Sequence, residues 1–443
     1  MYSKKYPAIA RSYGVFMTPD GGFIFPYEEQ KGVKRALPRC ETLNVQACAI
    51  LEKCAGSHAV EEIVCILEKE FEDTPPDLFS QVETLLDKAF QKGYIVFSDE
   101  PTKMEGLLQG SIHYYTPTHI LLETTTNCNL KCGHCLLSAG EPLTDELTVP
   151  QMLSLLERLS EIGVKRLNLS GGEVLTKEGW YNLADFCTKR FSCSLLTNGV
   201  LMTENTADKL ECCQEIYISL YGVDAETHER ISQVRGSFER ALRGMKLLTE
   251  RGVYVGASVL MVPFNLVQLE DMVKKALSAK CKIVRVGIVS PVGRAADKQW
   301  ELTEAEQKWL DTAMSELQQK YKDEIDIQWE EEKPREEHRC GAGFTRWVIA
   351  SNGDVYPCAV FRVPIGNLIR NDPVDICKSD AVVFLRELEA PHKDLCGECQ
   401  WFYRCKECHG EALLHYRKVD HCGWAKQFEK ASEPLKSVVK PLK

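Results

Sequence analysis

Residues 121–135, LLETTTNCNLKCGHC, place three cysteines on one short segment: Cys128, Cys132 and Cys135. The apolar residues 120–122 come just before them, which predicts a strand that leads into a loop. Three thiolates on one loop can bind three irons of a cubane iron–sulfur cluster and leave the fourth iron without a protein ligand. An iron with an open position can bind a small molecule, so this spacing favours a catalytic metal centre.

A zinc loop that lacks one ligand is the alternative for this segment. Structural zinc sites have four ligands and favour paired Cys-x2-4-Cys spacings, whereas the next candidate ligands here lie far downstream. A second segment, RLNLSGGE at residues 166–173, argues against zinc because Gly171, Gly172 and Glu173 again follow an apolar strand. Glycines let the backbone approach a ligand closely, and their amides can meet polar ligand groups.

Together the two segments resemble the radical S-adenosylmethionine (radical SAM) enzymes. The cluster motif of that family is Cys-x3-Cys-x2-Cys, which Cys128, Cys132 and Cys135 match. Its Gly-Gly-Glu segment, matched by residues 171–173, binds the methionine end of SAM. The resemblance therefore implies a SAM-binding [4Fe-4S] cluster, with SAM itself as the second cofactor.

Composition narrows the class of protein. A length of 443 residues suggests roughly three domains, and a hydrophobic content of 44% supports large packed cores. The net charge of -10 argues against a nucleic-acid binder, which would carry a basic face. The N-terminal residues lack the apolar core of a signal peptide, and no apolar run is long enough for a membrane span. We therefore expect a cytoplasmic protein.

The chain contains 20 cysteines, which a reducing compartment keeps as thiols or metal ligands rather than disulfides. Half of them have no ligand spacing and are interpreted as small apolar packing residues. These are Cys40, Cys48, Cys54, Cys65, Cys187, Cys193, Cys212, Cys213, Cys281 and Cys377.

Residues 1–105 predict a small independent domain. GVFMTPDGGFIF, residues 14–25, predicts a hairpin with its turn at Asp20-Gly21-Gly22. Apolar periodicity predicts three helices and then a strand, within residues 45–54, 59–71, 78–90 and 94–97. A hairpin, three helices and a closing strand form a winged-helix pattern, and residues 106–117 are interpreted as the linker that follows it.

The third predicted helix carries Glu83 and Asp87, which would repel nucleic-acid phosphates. The arrangement instead resembles the PqqD-like peptide-recognition domain, related to the small chaperone of pyrroloquinoline quinone biosynthesis. That domain binds the leader of a ribosomally made precursor peptide as an added strand at a sheet edge. The resemblance implies a precursor peptide as partner; the alternative is a packing domain without a ligand.

Residues 106–325 alternate predicted strands and helices. Helical periodicity is clear over residues 151–163 and again after Asn265, which is a predicted N-cap. This alternation predicts an α/β fold with a parallel sheet, and the resemblance implies a partial (β/α)6 TIM-like barrel with ligands at the C-terminal strand ends. The predicted strands lie near 119–123, 165–169, 193–197, 215–220, 253–260 and 283–289.

Several polar residues fall at these predicted strand ends. Thr197, Asn198 and Gly199 close the third strand. Ser219 lies near the end of the fourth strand, where a serine in relatives meets the SAM ribose. Arg294 follows the sixth strand, where a cation can meet the SAM carboxylate. For Ser219 and Arg294 the alternative is ordinary strand-end polarity.

Two further positions are compared with relatives. His134 occupies the place in the cysteine loop where relatives often have an aromatic residue against SAM. Ser232 stands where many relatives carry an arginine before a Gly-Ser-Phe sequence, and Arg230 and Arg235 are its basic neighbours here. The sequence therefore leaves that SAM contact unassigned.

Residues 326–443 contain the remaining cysteines. The charged, proline-interrupted residues 322–337 predict a bridging segment on a solvated face. Two Cys-x2-Cys pairs within residues 396–408 fit a zinc ribbon by spacing alone. With Gly353-x4-Cys358 before them and Cys422 after them, they resemble the SPASM extension of radical SAM enzymes, which houses two auxiliary iron–sulfur clusters, expected here as [4Fe-4S].

The SPASM resemblance implies two ligand sets. One auxiliary cluster would take Cys396, Cys399, Cys405 and Cys422, and the other Cys340, Cys358 and Cys408. The third spacer of the cysteine block has two residues where the family has three. The second set also lacks an obvious fourth cysteine, and we hypothesise that an open iron there binds a substrate thiolate.

The whole chain resembles the subtilosin A maturase group of radical SAM/SPASM enzymes, the sactipeptide (thioether) synthases. The similarity lies in CGAG at 340–343, VIASNGDVYPCAVF at 348–361 and IGNLI at 365–369. It implies an oxidoreductase that matures a ribosomally synthesised peptide. A flavodoxin- or ferredoxin-type donor supplies one electron, SAM yields a 5′-deoxyadenosyl radical that abstracts a substrate hydrogen, and a Cys sulfur-to-carbon thioether closes.

The alternatives differ in substrate and in chemistry. The same parts can serve another radical peptide modification: a carbon–carbon crosslink, epimerisation or decarboxylation. A SPASM enzyme can also act on a protein or a tetrapyrrole, and a non-enzymatic zinc or iron–sulfur protein is the remaining option. The sequence indicates no protein acid or base, so no catalytic side chain is assigned.

Overall fold

The computed structural model describes residues 2–30, 33–36, 40–329 and 340–439, with residues 28–30 and 33–36 described as backbone. The chain divides into two compact units. One contains residues 1–116 and 159–163, and the other contains residues 117–158 and 164–443.

The first part of the chain, up to residue 116, has a two-stranded antiparallel sheet (β1–β6) and a five-stranded sheet in the order β4-β3-β2-β7, with β5 also paired to β3. Its core is built from apolar residues of the strands and of all three helices, such as Ile24, Ile63 and Leu86. The elements are β1 (Tyr6–Ile9), β2 (Tyr13–Thr18), β3 (Gly21–Gln30), β4 (Val33–Ala36), β5 (Glu41–Leu43), α1 (Val45–Glu52), α2 (Val60–Glu70), α3 (Leu78–Gln91), β6 (Ile95–Ser98) and β7 (Leu107–Gly110).

The predicted hairpin, three helices and closing strand are present in this order, with two corrections. The hairpin turn is Pro19-Asp20, because Gly21 already pairs with Thr18 in the β2–β3 ladder. The predicted linker contains β7, which pairs in parallel with β2. An extended segment of four residues is too short for periodicity to distinguish a strand from a linker.

From residue 117 onward the chain forms the α/β part of the protein, which contains the parallel sheet. Its elements are β8 (His119–Glu123), α4 (Val149–Glu161), β9 (Arg166–Ser170), α5 (Trp180–Arg190), β10 (Ser192–Thr197), α6 (Glu204–Leu210), β11 (Glu215–Leu220), α7 (Ala225–Ser232), α8 (Ser237–Thr249), β12 (Val255–Met261), α9 (Leu269–Ser278), β13 (Ile283–Ile288), α10 (Glu304–Tyr321), β14 (Asp326–Trp329), β15 (Arg346–Ile349), β16 (Asp354–Tyr356), β17 (Gly366–Asn367), α11 (Pro373–Lys378), α12 (Asp380–Glu387), α13 (Lys393–Cys396), α14 (Phe402–Cys405), α15 (His409–His415) and α16 (Gly423–Lys426).

The six predicted strands are confirmed as β8 to β13, and they lie side by side in chain order within a ten-stranded sheet, β14-β13-β12-β11-β10-β9-β8-β15-β16-β17. Each neighbouring pair from β14 to β8 is parallel. The C-terminal region extends the sheet, because β15 pairs in parallel with β8 before β16 and β17 turn back antiparallel. Loops after parallel strands meet at one edge, where the site lies.

One local prediction in this region was wrong, and a second is confirmed in position only. Asp326–Trp329, inside the predicted bridging segment, is strand β14; residues 330–337 of that segment lie outside the described residues. Asn265 is the N-cap of the short 3-10 helix Leu266–Gln268 that leads into α9, but its side chain makes no capping hydrogen bond. Its buried amide instead accepts a hydrogen bond from the Val262 amide at 2.8 Å and donates to the carbonyl of Tyr221 at 3.0 Å.

Among the described residues, no helix combines the length and the apolar composition needed to cross a membrane.

Candidate functional site

The cysteine loop begins directly after β8. Cys132 lies within electrostatic reach of both Cys128 and Cys135, so the structure brings the three thiols together. The backbone amide of Leu130 donates to Cys128 Sγ at 3.5 Å, and that of Ala139 donates to Cys135 Sγ at 3.4 Å. Burial raises the pKa of Cys128 to about 11 and that of Cys132 to about 12. A metal that binds these sulfurs must therefore displace their protons.

The Gly-Gly-Glu segment packs directly on the cysteine loop. The Gly172 amide donates to the carbonyl of Thr125 at 2.7 Å, and the Glu173 amide donates to that of Asn127 at 2.8 Å. A Cβ atom on Gly172 would lie 2.2 Å from the Asn127 oxygen. The expectation that the glycine amides meet a ligand is thus corrected for Gly172, whose amide donates to the neighbouring loop, as does that of Glu173.

Glu173 follows β9, and its side chain is fully buried against the end of the neighbouring strand β10. Its carboxylate accepts from Thr197 Oγ1 at 2.6 Å and from the Asn198 amide at 2.8 Å. Burial raises its pKa, which these hydrogen bonds oppose. Asn198 Nδ2 in turn donates to Asn129 Oδ1 at 2.8 Å. The Thr-Asn-Gly segment therefore connects Glu173 to the cysteine loop.

Arg294 also contacts the cysteine loop. Its Nε donates to the carbonyl of Cys132 at 2.8 Å, and its Nη1 donates to that of Ala139 at 2.7 Å. The sequence suggested a contact with the SAM carboxylate instead. The structure shows Arg294 as an anchor of the cysteine loop, and the SAM contact stays a prediction.

His134 lies edge-on to Tyr221, with 4.9 Å between ring centroids and 70° between ring planes. Burial lowers the pKa of His134 to about 4, so the imidazole is neutral near pH 7. Burial raises the pKa of Tyr221, and the side chain of Ser219 beside its hydroxyl opposes this, so Tyr221 lies next to both His134 and Ser219. Sequence reasoning missed Tyr221, although its place directly after β11 was a usable signal.

The surroundings of Cys132 are apolar. Its side chain packs against a buried cluster that includes Tyr221, Val262 and Val289. This cluster shields the middle of the cysteine loop from water and lowers the local dielectric constant, which affects the redox potential of a bound cluster.

The position where many relatives carry an arginine is Ser232 in this chain, and it lies inside the protein. Ser232 is fully buried, and its hydroxyl is hydrogen-bonded to that of Ser237 at 2.7 Å. The guanidinium of Arg230 lies 3.7 Å from the ring centroid of Phe264, and the carbonyl of Arg235 accepts from Arg240. None of these observations assigns a SAM contact to this position.

The late cysteines gather in the C-terminal region. The pKa of Cys405 is raised by burial and then by Glu411, Cys399, Cys422 and Cys396, in that order. The pKa of Cys396 is likewise raised by burial and then by the nearby thiols of Cys422 and Cys399. The structure therefore brings together all four thiols of the first predicted auxiliary set.

Two members of the second predicted set, Cys358 and Cys408, lie at the start of α15. Cys408 Sγ accepts from the Glu411 amide at 3.4 Å, and Cys358 Sγ accepts from the Phe361 amide at 3.1 Å. A Cβ atom on Gly410 would lie 3.5 Å from Cys358 Sγ, which places Cys358 beside the helix that Cys408 begins. Cys340 is half-buried.

The thiols of the described residues are not drawn together around one point. Within residues 2–30, 33–36, 40–329 and 340–439, no three His, Cys, Asp or Glu side chains converge on a single metal ion. In a cubane cluster each thiolate binds a different iron, so the sulfurs lie further apart. Sets of soft thiolates with amide donors on their sulfurs fit iron–sulfur clusters.

A bidentate ion pair joins the C-terminal region to the start of the cysteine loop. Arg362 donates from Nη1 and Nη2 to the two oxygens of the buried Glu123 carboxylate, at 2.7 and 2.9 Å. Glu123 is the last residue of β8, directly before the cysteine loop. Sequence reasoning missed this pair because its members are far apart in the chain.

The parallel sheet, the three-thiol loop at the end of β8 and the adjoining Gly-Gly-Glu segment define the class of protein: a radical SAM enzyme with a thiol-rich C-terminal domain. Family models agree. The Radical SAM superfamily model matches residues 122–276, the SPASM iron–sulfur cluster-binding domain matches 340–408, and coenzyme PQQ synthesis protein D (PqqD) matches 36–95. The chain therefore carries a radical SAM domain, a SPASM domain and a PqqD domain. These domains imply a SAM-binding [4Fe-4S] cluster, SAM and auxiliary clusters.

Several known proteins are similar to this chain. The antilisterial bacteriocin subtilosin biosynthesis protein AlbA of Bacillus subtilis is 26% identical over 98% of both chains. The sporulation killing factor maturation protein SkfB of Bacillus subtilis is 28% identical over 61% of this chain and 69% of its own. The crystal structure of Streptococcus suis SuiB bound to S-adenosylmethionine has a TM-score of 0.63 at 16% identity, over 98% of this chain and 100% of SuiB. SuiB bound to its precursor peptide SuiA gives a TM-score of 0.60 at 16% identity, over 85% and 89%.

Proposed function

We propose that this enzyme matures a ribosomally synthesised precursor peptide by forming Cys sulfur-to-carbon thioether crosslinks. The observation that carries the proposal is the union, in one chain, of a PqqD domain, a radical SAM domain and a SPASM domain. The similarity to a subtilosin biosynthesis protein over 98% of both chains supports a peptide substrate.

In this proposal Cys128, Cys132 and Cys135 hold the cluster that, when bound, supplies the electron for homolytic cleavage of SAM. The surrounding residues keep the loop in place: Glu173 connects it to β10, and Arg294 donates to two of its carbonyls. His134 stays neutral at the working pH and adds no charge.

The C-terminal thiols hold the auxiliary clusters. Cys396, Cys399, Cys405 and Cys422 form one ligand set. Cys340, Cys358 and Cys408 would hold the other cluster, and a cluster bound there would supply a site for the substrate thiolate. Apart from the cluster chemistry, the contribution of the chain is to position the groups and to exclude water.

The leader of the precursor is held by the N-terminal unit. The five-stranded sheet ends at β4 and β7, and an added peptide strand requires such a terminal strand. Tethering the leader raises the effective concentration of the core peptide, to about millimolar for a well-matched tether. A flavodoxin- or ferredoxin-type electron donor and a cytoplasmic location complete the proposal.

The test uses anaerobically purified full-length enzyme, dithionite, SAM and the peptide encoded beside its gene. We expect 5′-deoxyadenosine, together with a peptide that has lost a pair of hydrogens per crosslink and whose crosslinked cysteines resist iodoacetamide. Cys132→Ala is the inactive control. Failure to release 5′-deoxyadenosine would overturn the radical mechanism. A peptide that loses hydrogens while every cysteine still alkylates would replace the thioether by a carbon–carbon bond.

A further inference from the structure

Arg404 is a buried cation with two unused donors. Only 1% of its side chain is exposed. Its Nη2 donates to the carbonyl of Val289 and to Glu411 Oε2, both at 3.0 Å. Its Nε and Nη1 are buried and have no hydrogen-bond partner in the described part of the chain. Because buried donors are nearly always paired, two such groups on one guanidinium indicate an acceptor that is not a protein atom.

The Arg404–Glu411 pair lies between the two thiol sets. Arg404 directly precedes Cys405, and the Glu411 carboxylate raises the pKa of Cys405 electrostatically. The Glu411 amide donates to Cys408 Sγ at 3.4 Å. The same carboxylate accepts from Ser290, just after β13, so the pair also contacts the C-terminal end of a barrel strand.

We propose that Arg404 is a positioning residue whose two unpartnered nitrogens, Nε and Nη1, donate to sulfurs of the auxiliary cluster, and that Glu411 balances its charge. This inference rests on the proposed ligand set of Cys396, Cys399, Cys405 and Cys422.

The expected effect follows from charge. A cubane bound by four thiolates is anionic, and its reduction adds one electron without breaking a bond. A buried cation with N–H···S hydrogen bonds stabilises the reduced form and raises the reduction potential, whereas a nearby carboxylate lowers it. Arg404 and Glu411 therefore act on the same cluster with opposite sign.

The test is an anaerobic redox titration of the full-length, cluster-loaded enzyme without SAM or peptide, followed by EPR. Arg404→Gln should shift the midpoint potential of one auxiliary cluster to a more negative value, and Glu411→Gln should shift it to a more positive value. Arg404→Lys, which keeps the charge, should shift it less. Arg386→Gln is the matched control, because Arg386 is a partly exposed arginine of the same domain that pairs with Glu387.

An unchanged midpoint in Arg404→Gln at full iron content overturns the inference, as do shifts of the same sign in the Arg404 and Glu411 variants. If Arg404→Gln loses the cluster, the opposite shifts of Arg404→Lys and Glu411→Gln must still appear. A change confined to the KM for the peptide would identify the peptide as the acceptor and also overturn it. The titration contains no peptide, so a failed maturation assay leaves its readout intact.

Discussion

The guanidinium of Arg294 donates through Nε to the carbonyl of Cys132, at 2.8 Å. Its Nη1 donates to the carbonyl of Ala139 at 2.7 Å, so one side chain anchors the loop at two points. Arg294 lies more than 150 residues after this loop, as the separation of 162 between the bonded residues shows. The segment after the sixth barrel strand thus holds the loop that follows the first.

Removing this anchor should impair SAM cleavage. Arg294→Ala leaves two carbonyls without a donor and loosens the cysteine loop. Loss of such an outer partner typically costs about 10–100-fold in metal affinity or activity. The measurement is the rate of 5′-deoxyadenosine release with dithionite as reductant, beside the iron content. Arg190→Ala, at an exposed arginine of α5, is the control, and a wild-type rate in Arg294→Ala would contradict the anchoring role.

Neutralising Glu173 should destabilise the fold. Its carboxylate accepts from Thr197 Oγ1, the Asn198 amide and the Leu175 amide. In Glu173→Gln, an NH2 group would face these donors, so we expect a loss of about 1.5–3 kcal/mol in the free energy of unfolding. Anaerobic denaturant unfolding followed by circular dichroism measures it. Glu178→Gln, at an exposed site, should change little; equal stabilities of the two variants would count against the prediction.

The proposed auxiliary ligand sets should lose iron separately. Three cubane clusters contain about twelve irons, so Cys399→Ala should remove about four of them and leave the SAM-binding cluster reducible. Cys358→Ala should remove the iron of the other set, and the two losses should add in the double variant. Cys65→Ala, at an exposed cysteine of α2, should keep all the iron. Iron analysis and EPR measure these losses. If Cys399→Ala and the double variant Cys399→Ala/Cys358→Ala lost the same amount of iron, the proposal of two separate clusters would be refuted.

Stability should fall as the pH decreases toward 4. His228 is buried, its Nδ1 accepts from the Tyr221 amide at 3.2 Å, and burial lowers its pKa from the usual 6.5 to about 4. Between about pH 4 and pH 6.5, His228 binds a proton in the unfolded chain but not in the folded chain. The stability contribution is therefore complete above about pH 6.5 and is lost on acidification, with a slope of up to about 1.4 kcal/mol per pH unit.

The variant His228→Gln removes this group and should flatten the dependence of unfolding free energy on pH between 4 and 6.5. His113→Gln, at an exposed histidine, should retain the wild-type slope. Denaturant unfolding at a series of pH values provides the slopes. An unchanged slope in His228→Gln would show that another group dominates acid destabilisation.

Local pattern was sufficient for much of this protein. The strands from β8 to β13 and the first three helices carry apolar periodicity over five or more residues, and they were predicted close to their observed bounds. Strands β7 and β14 were missed because each is defined by its partner, β2 or β13, rather than by an apolar pattern of its own. The turn at Pro19-Asp20 was misplaced by two residues or fewer, because Gly21 also fits a turn.

The sequence by itself determined which thiols are available to metals. This information lies in the spacing of Cys128, Cys132 and Cys135 and in the grouping of the late cysteines, because ligand spacing is a local property of the chain. Tertiary structure alone decided what surrounds them. Most partners of Arg294, Glu173 and Arg404 lie on other strands, helices and loops, and a hydrogen bond depends on where folding places both atoms. No local pattern contains that information.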